Sequence, residues 1–166
     1  MATSTLDLNG IGLNTPLKVR GFVRPFGQAT ATNDFSAITL IDVTNAPATL
    51  VVGWPSLEAA PFSNPTANGM TVNLANAGLL HDILRGGVDT RLSLSDAPIV
   101  VNPARGLFVI GTNGTVQVYT QLGNYQAALQ TNLAAGRKAR SFVASGEIYV
   151  DATQTLTANL MATGLQ

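Results

Sequence analysis

Two stretches near the ends of the chain share one pattern: a strand centred on glycine, a turn, and a second strand that opens apolar-(Ser/Thr)-Ala. The first reads Leu17-Lys18-Val19-Arg20-Gly21-Phe22-Val23, then Phe35-Ser36-Ala37-Ile38-Thr39-Leu40. The second reads Phe142-Val143-Ala144-Ser145-Gly146-Glu147-Ile148, then Leu156-Thr157-Ala158-Asn159-Leu160-Met161. Placed Gly21 on Gly146, they read as an internal repeat. A strand that coils hard needs a bulge or a position without a side chain, and glycine supplies both. In the first unit Leu17, Val19, Gly21 and Val23 face one way and Lys18, Arg20, Phe22 and Arg24 the other, the alternation of a half-buried strand.

The rest of the chain adds more strands and one helix. Ala48 to Trp54 is an apolar, β-branched run, and Met70–Leu74, Val88–Leu94 and Pro98–Val101 are shorter strand candidates. Leu79–Leu84 reads as a strand or a single helical turn. Ser56 to Asn68, interrupted by Pro61 and Pro65, reads as a long surface loop. Asn113-Gly114 between Leu107–Ile110 and Val116–Tyr119 predicts a hairpin with a type I′ turn, whose two central residues need positive φ. A helix is expected over 124–135, with Asn124 as its cap, Tyr125, Leu129 and Leu133 along one side, and Gly136 as its stop. The expected fold is all-β and mainly antiparallel, an oligomer-binding (OB)-like β-barrel or sandwich with that one short helix. It is read as one domain over 1–166, with the option of two fused small barrels, 1–76 and 87–166, joined by a short connection.

The stretch Val19-Arg20-Gly21-Phe22-Val23-Arg24-Pro25-Phe26-Gly27, with Phe35-Ser36-Ala37, resembles uncharacterised OB-like modules of exported proteobacterial proteins and lipoproteins. The Gly146–Ala158 segment is similar to the same type of hairpin. The resemblance covers the two ends, about a third of the chain. It implies small β-barrel architecture and an extracellular, periplasmic or cell-envelope setting, and it carries no catalytic residue across. Met1 to Gly10 has neither a basic nor an apolar segment, so it does not read as a signal peptide.

Composition narrows the function. Hydrophobic residues make up 46% and charged residues 11%, against about 25% charged in an ordinary domain. The polar surface must therefore be built from Thr, Asn, Ser and Gln. Nine cations balance nine acids, so no global field draws the chain to nucleic acid or an anionic membrane, and little repulsion keeps copies apart. Cysteine is absent, which excludes disulfides, thiolate catalysis and sulfur-bound metal. No apolar run is long enough to span a bilayer as a helix.

No catalytic constellation is legible. His81 is the only histidine, no Gly-x-Ser-x-Gly elbow occurs, and a zinc site needs three protein ligands. His81 reads as a loop or edge residue. Asp82, Asp89 and Asp96 are spaced at sevens, which does not converge side chains across strands and turns. Gly10-Ile11-Gly12 lacks the third glycine of a dinucleotide fingerprint, and Asp7-Leu8-Asn9-Gly10 only begins like a calcium loop. No catalytic residue, metal or cofactor is expected.

The cations are clustered. Lys18, Arg20 and Arg24 lie on the first glycine-centred strand beside Phe22, and Arg137, Lys138 and Arg140 precede the second. A cationic face with an aromatic is how small barrels hold single-stranded nucleic acid or an anionic glycan; the same charges also keep an exposed strand face solvated and unpaired. Trp54, Phe62, Phe108, Tyr119 and Tyr125 read as core or as a sugar-binding surface, and Tyr149 as the best outward candidate. The leading expectation is a non-enzymatic structural or interaction module that self-assembles through strand edges as a homo-oligomer or with another envelope protein. The alternative is an OB-like module for an anionic ligand.

Overall fold

The structure is a computed structural model that describes residues 9, 11–13, 15–23, 35–77, 81–90, 99–150 and 152–166, with the backbone alone over 99–105. It is mostly β, mainly antiparallel, with one helix. The chain forms two compact units, Met1–Thr44 and Asn45–Gln166. Within the second unit, strands from before residue 76 pair with strands from after residue 87.

In the first unit β1 (Leu17–Val23) and β2 (Phe35–Asp42) form a two-stranded antiparallel sheet. Opposed residues share a face. Leu17, Val19, Gly21 and Val23 therefore line one face with Leu40, Ala37 and Phe35, and Lys18, Arg20 and Phe22 line the other. The alternation read from the sequence is present, but the half-burial is not: both faces of β1 are largely exposed. At Gly21 the register slips, with Arg20 opposite Thr39 and Gly21 opposite Ala37, so Ile38 is the extra residue of a bulge.

The second unit holds β3 (Ala48–Glu58), β4 (Phe62–Thr66), β5 (Gly69–Val72), β6 (His81–Arg85), β7 (Val88–Asp89), β8 (Ile99–Thr112), β9 (Thr115–Tyr119), α1 (Leu122–Ala134), β10 (Ala139–Val150) and β11 (Thr155–Leu165). Its nine strands run in the order β4-β5-β8-β11-β10-β3-β6-β7, with β9 added beside β8, and this path is open rather than closed on itself. All pairs are antiparallel except β8 with β11. Here too the glycine marks a slip: Ser145 faces Leu160 and Gly146 faces Ala158, leaving Asn159 as the extra residue.

Several local expectations change for identifiable reasons. Ser56–Asn68 is not a loop. β3 runs on to Glu58, and β4 and β5 form a hairpin. The prolines in and just before it sit where the ladder is interrupted: the β3–β10 register jumps from Gly53/Ser141 to Glu58/Ala139 around Pro55, Pro61 lies between β3 and β4, and the β4–β5 register skips Pro65. Proline in a sheet is confined to such places. Leu57, inside the first interruption, takes φ +59°. The helix begins at Leu122, so Asn124 lies within its first turn and donates to the Gln121 side chain rather than capping the end. Gly136 stops it at φ +88°, as expected. At the β8–β9 turn Gly114 takes φ +87° and Asn113 does not take a positive φ, so the turn is not the I′ type.

The core lies between α1 and one face of the sheet. Tyr125 and Leu129 are the buried residues of α1. The Tyr125 ring stacks on Phe108 at 5.4 Å, and its hydroxyl meets that of Thr163 on β11. Burial pushes the Tyr125 phenol well above its ordinary value. Trp54 and Phe142 are fully buried, with the Phe62 ring edge-on to both, and Trp54 Nε1 donates to the Asn73 carbonyl at 3.2 Å. Most of the candidate sugar-surface aromatics are therefore packed inside, as aromatic side chains of such size usually are.

Candidate functional site

β3, β6 and β11 alternate along most of their length between the core face and the opposite face. One row of the opposite face can be read across six strands from the pairings: Asp82 on β6, Val51 on β3, Val143 on β10, Ala162 on β11, Val109 on β8 and Val118 on β9. This row is apolar apart from Asp82 at one end. At its other end β9 exposes Val118 (59%) and Val116 (70%). Among the described residues β9 pairs with β8 only, so its outer N–H and C=O groups form an open edge.

The first unit presents a second surface of the same character. On one face of its sheet Val23 is 73% exposed and Val19 and Phe35 are exposed as well; on the other, Phe22 (70%) and Ile41 are exposed beside Lys18 and Arg20. An isolated two-stranded sheet is at best marginally stable in water. Fully burying one Val or Phe side chain contributes about 1.5–3 kcal/mol. The sheet of β1 and β2 has exposed apolar side chains and, among the described residues, no third strand at either edge.

The residues singled out for an anionic ligand are placed as follows. Lys18, Arg20 and Phe22 share one face of β1 and are exposed; Arg24 lies outside the described residues. Arg137 and Lys138 follow the helix, and the Lys138 backbone exchanges hydrogen bonds with Gln166 at 2.8 and 2.9 Å. Arg140, exposed on β10, borders an open cleft of about 510 Å³ with Thr112, Asn113, Ser141 and Gln166. The two basic clusters do not occupy equivalent places. Counted from the glycines, Lys18 and Arg20 match Val143 and Ser145, and Arg140 matches Thr15. The structure thus groups Lys18, Arg20 and Phe22 on one face of β1 and sets Arg137, Lys138 and Arg140 between the end of α1 and the start of β10.

Two other assignments change. Tyr149 is buried, with the Arg85 guanidinium carbon 5.0 Å from its ring centre. The cause is a second slip between Gly146 and Ile148, which reverses the alternation so that Phe142 and Ala144 before it and Tyr149 after it all point inward. His81 is a buried residue of β6 opposite Val52, not a loop residue, and its Nδ1 has no hydrogen-bond partner among the described residues. No group of three or more His, Asp or Glu side chains able to hold a metal occurs among the described residues. Nor is any described helix long and apolar enough to cross a membrane.

Glu58 and Arg85 were not signalled by the sequence, since neither lies in a motif. The Glu58 carboxylate accepts from the Ala60 N–H at 2.8 Å and from Asn76 Nδ2. These bonds, the Ala60 N–H first, hold its pKa below the ordinary 4.5. Glu58 should therefore stabilise the fold above its unfolded pKa and lose that contribution as pH falls through the lower folded value. The expected outcome is that E58Q is less stable than the parent at pH 7 and that the gap closes on acidification below 4.5. Paired thermal melts from pH 7 to pH 3 measure it, and a gap that is constant across the range contradicts the assignment. The interaction surfaces have a clearer sequence signal: Thr115-Val116-Gln117-Val118-Tyr119 is an uncharged, β-branched run beside a two-residue turn.

No protein-family model matches the chain, and no curated protein or solved structure does so either.

Proposed function

We propose that this chain is a non-enzymatic structural or interaction module that self-associates through β surfaces. The observation that carries this reading is the β1–β2 sheet, whose apolar face is exposed and whose two edges are unpaired among the described residues. Low charge and zero net charge support it, because copies repel one another little. The two glycine-bulged hairpins are, in this reading, one structural element used twice, as an OB-like fold would use a bent strand. The setting proposed is the cell envelope or extracellular space, on the resemblance of the two ends and the Thr- and Asn-rich surface.

Sedimentation velocity over rising concentration tests the reading. The parent is expected to form oligomers, and V23K, which puts a charge on the exposed apolar face of β1, is expected to remain monomeric with an unchanged far-UV circular dichroism spectrum. A parent that stays monomeric at every concentration, without filaments by electron microscopy, overturns it.

A second reading rests on Lys18, Arg20 and Phe22 sharing one face of β1. That face suits an anionic ligand, single-stranded nucleic acid or anionic glycan, held by charge and stacking. Titration with an oligonucleotide at two salt concentrations should show affinity that falls with salt and is lost in K18A/R20A. Binding that is absent or indifferent to salt removes this reading.

A further inference from the structure

We infer that the acceptor for the β1–β2 sheet is the free edge of β9 on a second copy of this chain. This rests on the self-association reading above and names its geometry. The chain itself contains an example of how such a hairpin is accommodated. β10 and β11 share the glycine bulge of β1 and β2: Gly146 faces Ala158 as Gly21 faces Ala37, and one residue bulges out on the second strand, Asn159 or Ile38. In the second unit the glycine strand β10 takes an antiparallel neighbour on its outer edge, Thr49–Gly53 of β3, opposite Ser141–Ser145. Counted from the glycines, that edge corresponds to Pro16–Arg20, for which no neighbouring strand is present among the described residues.

β9 fits this vacancy. It is a strand of 5 residues, the length of Thr49–Gly53, with one side open. Val118 ends the apolar row that starts at Val51, and Val116, exposed on the same face of β9, ends the neighbouring row through Gly111, Gly164, Ser141 and Gly53. An antiparallel β1 with Val19 opposite Val118 extends that row by Val19 and sets Thr115–Tyr119 against Lys18–Phe22, overlapping the vacant edge at Lys18–Arg20. Lys18 and Arg20 then point to the other side, and the charge on the contacting face is Asp42 of β2, opposite Leu17 at the end of the sheet.

A second copy is the occupant because the tie to β3 is short: the six peptide units from Asp42 to Ala48 span at most ~22 Å, against ~29 Å measured along the sheet, six strand spacings of ~4.8 Å, for a β2 carried beside β9. That connection is also turned rather than extended: Asp42 Oδ1 accepts from the Thr44 N–H at 2.8 Å, and the Pro47 carbonyl accepts from the Gly86 N–H at 3.0 Å. The donor hairpin and the acceptor edge are different surfaces of one chain, so the contact is head-to-tail and propagates into open chains unless it closes into a ring.

The absence of cysteine makes the test clean. In the full-length protein, V19C and V118C are each introduced at an exposed position, and folding is checked by circular dichroism. Under mild oxidation a mixture of the two single variants is expected to give a disulfide-linked dimer that neither gives alone, and V19C/V118C a ladder of multimers. V118K, which places a lysine at the edge, is expected to abolish association. A crosslink confined to the monomer of V19C/V118C, or dimers of V118C alone, overturns the assignment. A parent that associates normally while V118K and the crosslinks have no effect overturns the β9 acceptor and leaves self-association standing; a strictly monomeric parent removes both.

Discussion

Alanine in place of Gly146 is expected to destabilise the Asn45–Gln166 unit strongly, whereas alanine in place of Gly21 should abolish association and leave that unit's unfolding transition unchanged. A Cβ on Gly146 would lie 1.9 Å from the Thr157 carbonyl oxygen and 2.5 Å from Ala158 Cα. On Gly21 it would lie 2.0 Å from the Ser36 carbonyl oxygen and 2.9 Å from Ala37 Cα. These are backbone atoms, so the strands themselves must move apart. Overpacking of a set structure costs about 1–3 kcal/mol, and more when it cannot yield. β10 is clamped between β11 and β3, which places Gly146→Ala at the upper end. At ~3 kcal/mol, and about 2–4 °C per kcal/mol for a chain of this size, Tm falls by ~6–12 °C. Trp54, the single tryptophan, is buried in this unit and reports the transition by fluorescence. An unchanged Tm for Gly146→Ala would show that the bulge is not as tight as described. For Gly21→Ala the readout is sedimentation, since the two-stranded sheet of β1 and β2 forms a separate unit.

Trp54→Ala is expected to be the most destabilising single side-chain truncation. Trp54 is 1% exposed, packs edge-on to Phe62 at 6.2 Å, and donates to the Asn73 carbonyl. Removing a large buried aromatic costs about 3–5 kcal/mol through lost transfer energy and the cavity left behind. The expected fall in Tm is ~6–20 °C, read by far-UV circular dichroism because the fluorescent probe is gone. Trp54→Phe keeps most of the volume and loses the N–H donor, so it should lie clearly between parent and alanine. If Trp54→Ala costs less than Trp54→Phe, the packing around β3 and β4 is not the source of stability in this unit.

How far the sequence could be read depended on the range of the interaction involved. The strands around Gly21 and Gly146, the opening of their second strands at Ser36-Ala37 and Thr157-Ala158, the Asn113-Gly114 turn and the Gly136 helix stop are all local, and they stand where the residues place them. Local signals failed where a long-range ladder overrode them. Ser56–Asn68 reads as a loop because of its prolines, yet pairing of Glu58 with Ala139 and of Phe62 with Val72 makes it strand. Tyr149 reads as outward because period-2 counting cannot see a bulge, and the extra residue at Glu147 turns it inward.

The two glycine-centred hairpins set the division most clearly. The residues alone determined that this chain makes two β-hairpins centred on glycine, each with alternating side chains, and that the cations of the first lie together on one face. Only the tertiary structure decided that β10 and β11 are each flanked on both sides and bury Phe142, Ala144, Leu156, Ala158 and Met161 in the core, and that β1 and β2 have no further neighbouring strand among the described residues. The physical reason is that a strand's faces follow from its own residues, at two residues per repeat, whereas what covers a face or pairs an edge comes from segments tens of residues away.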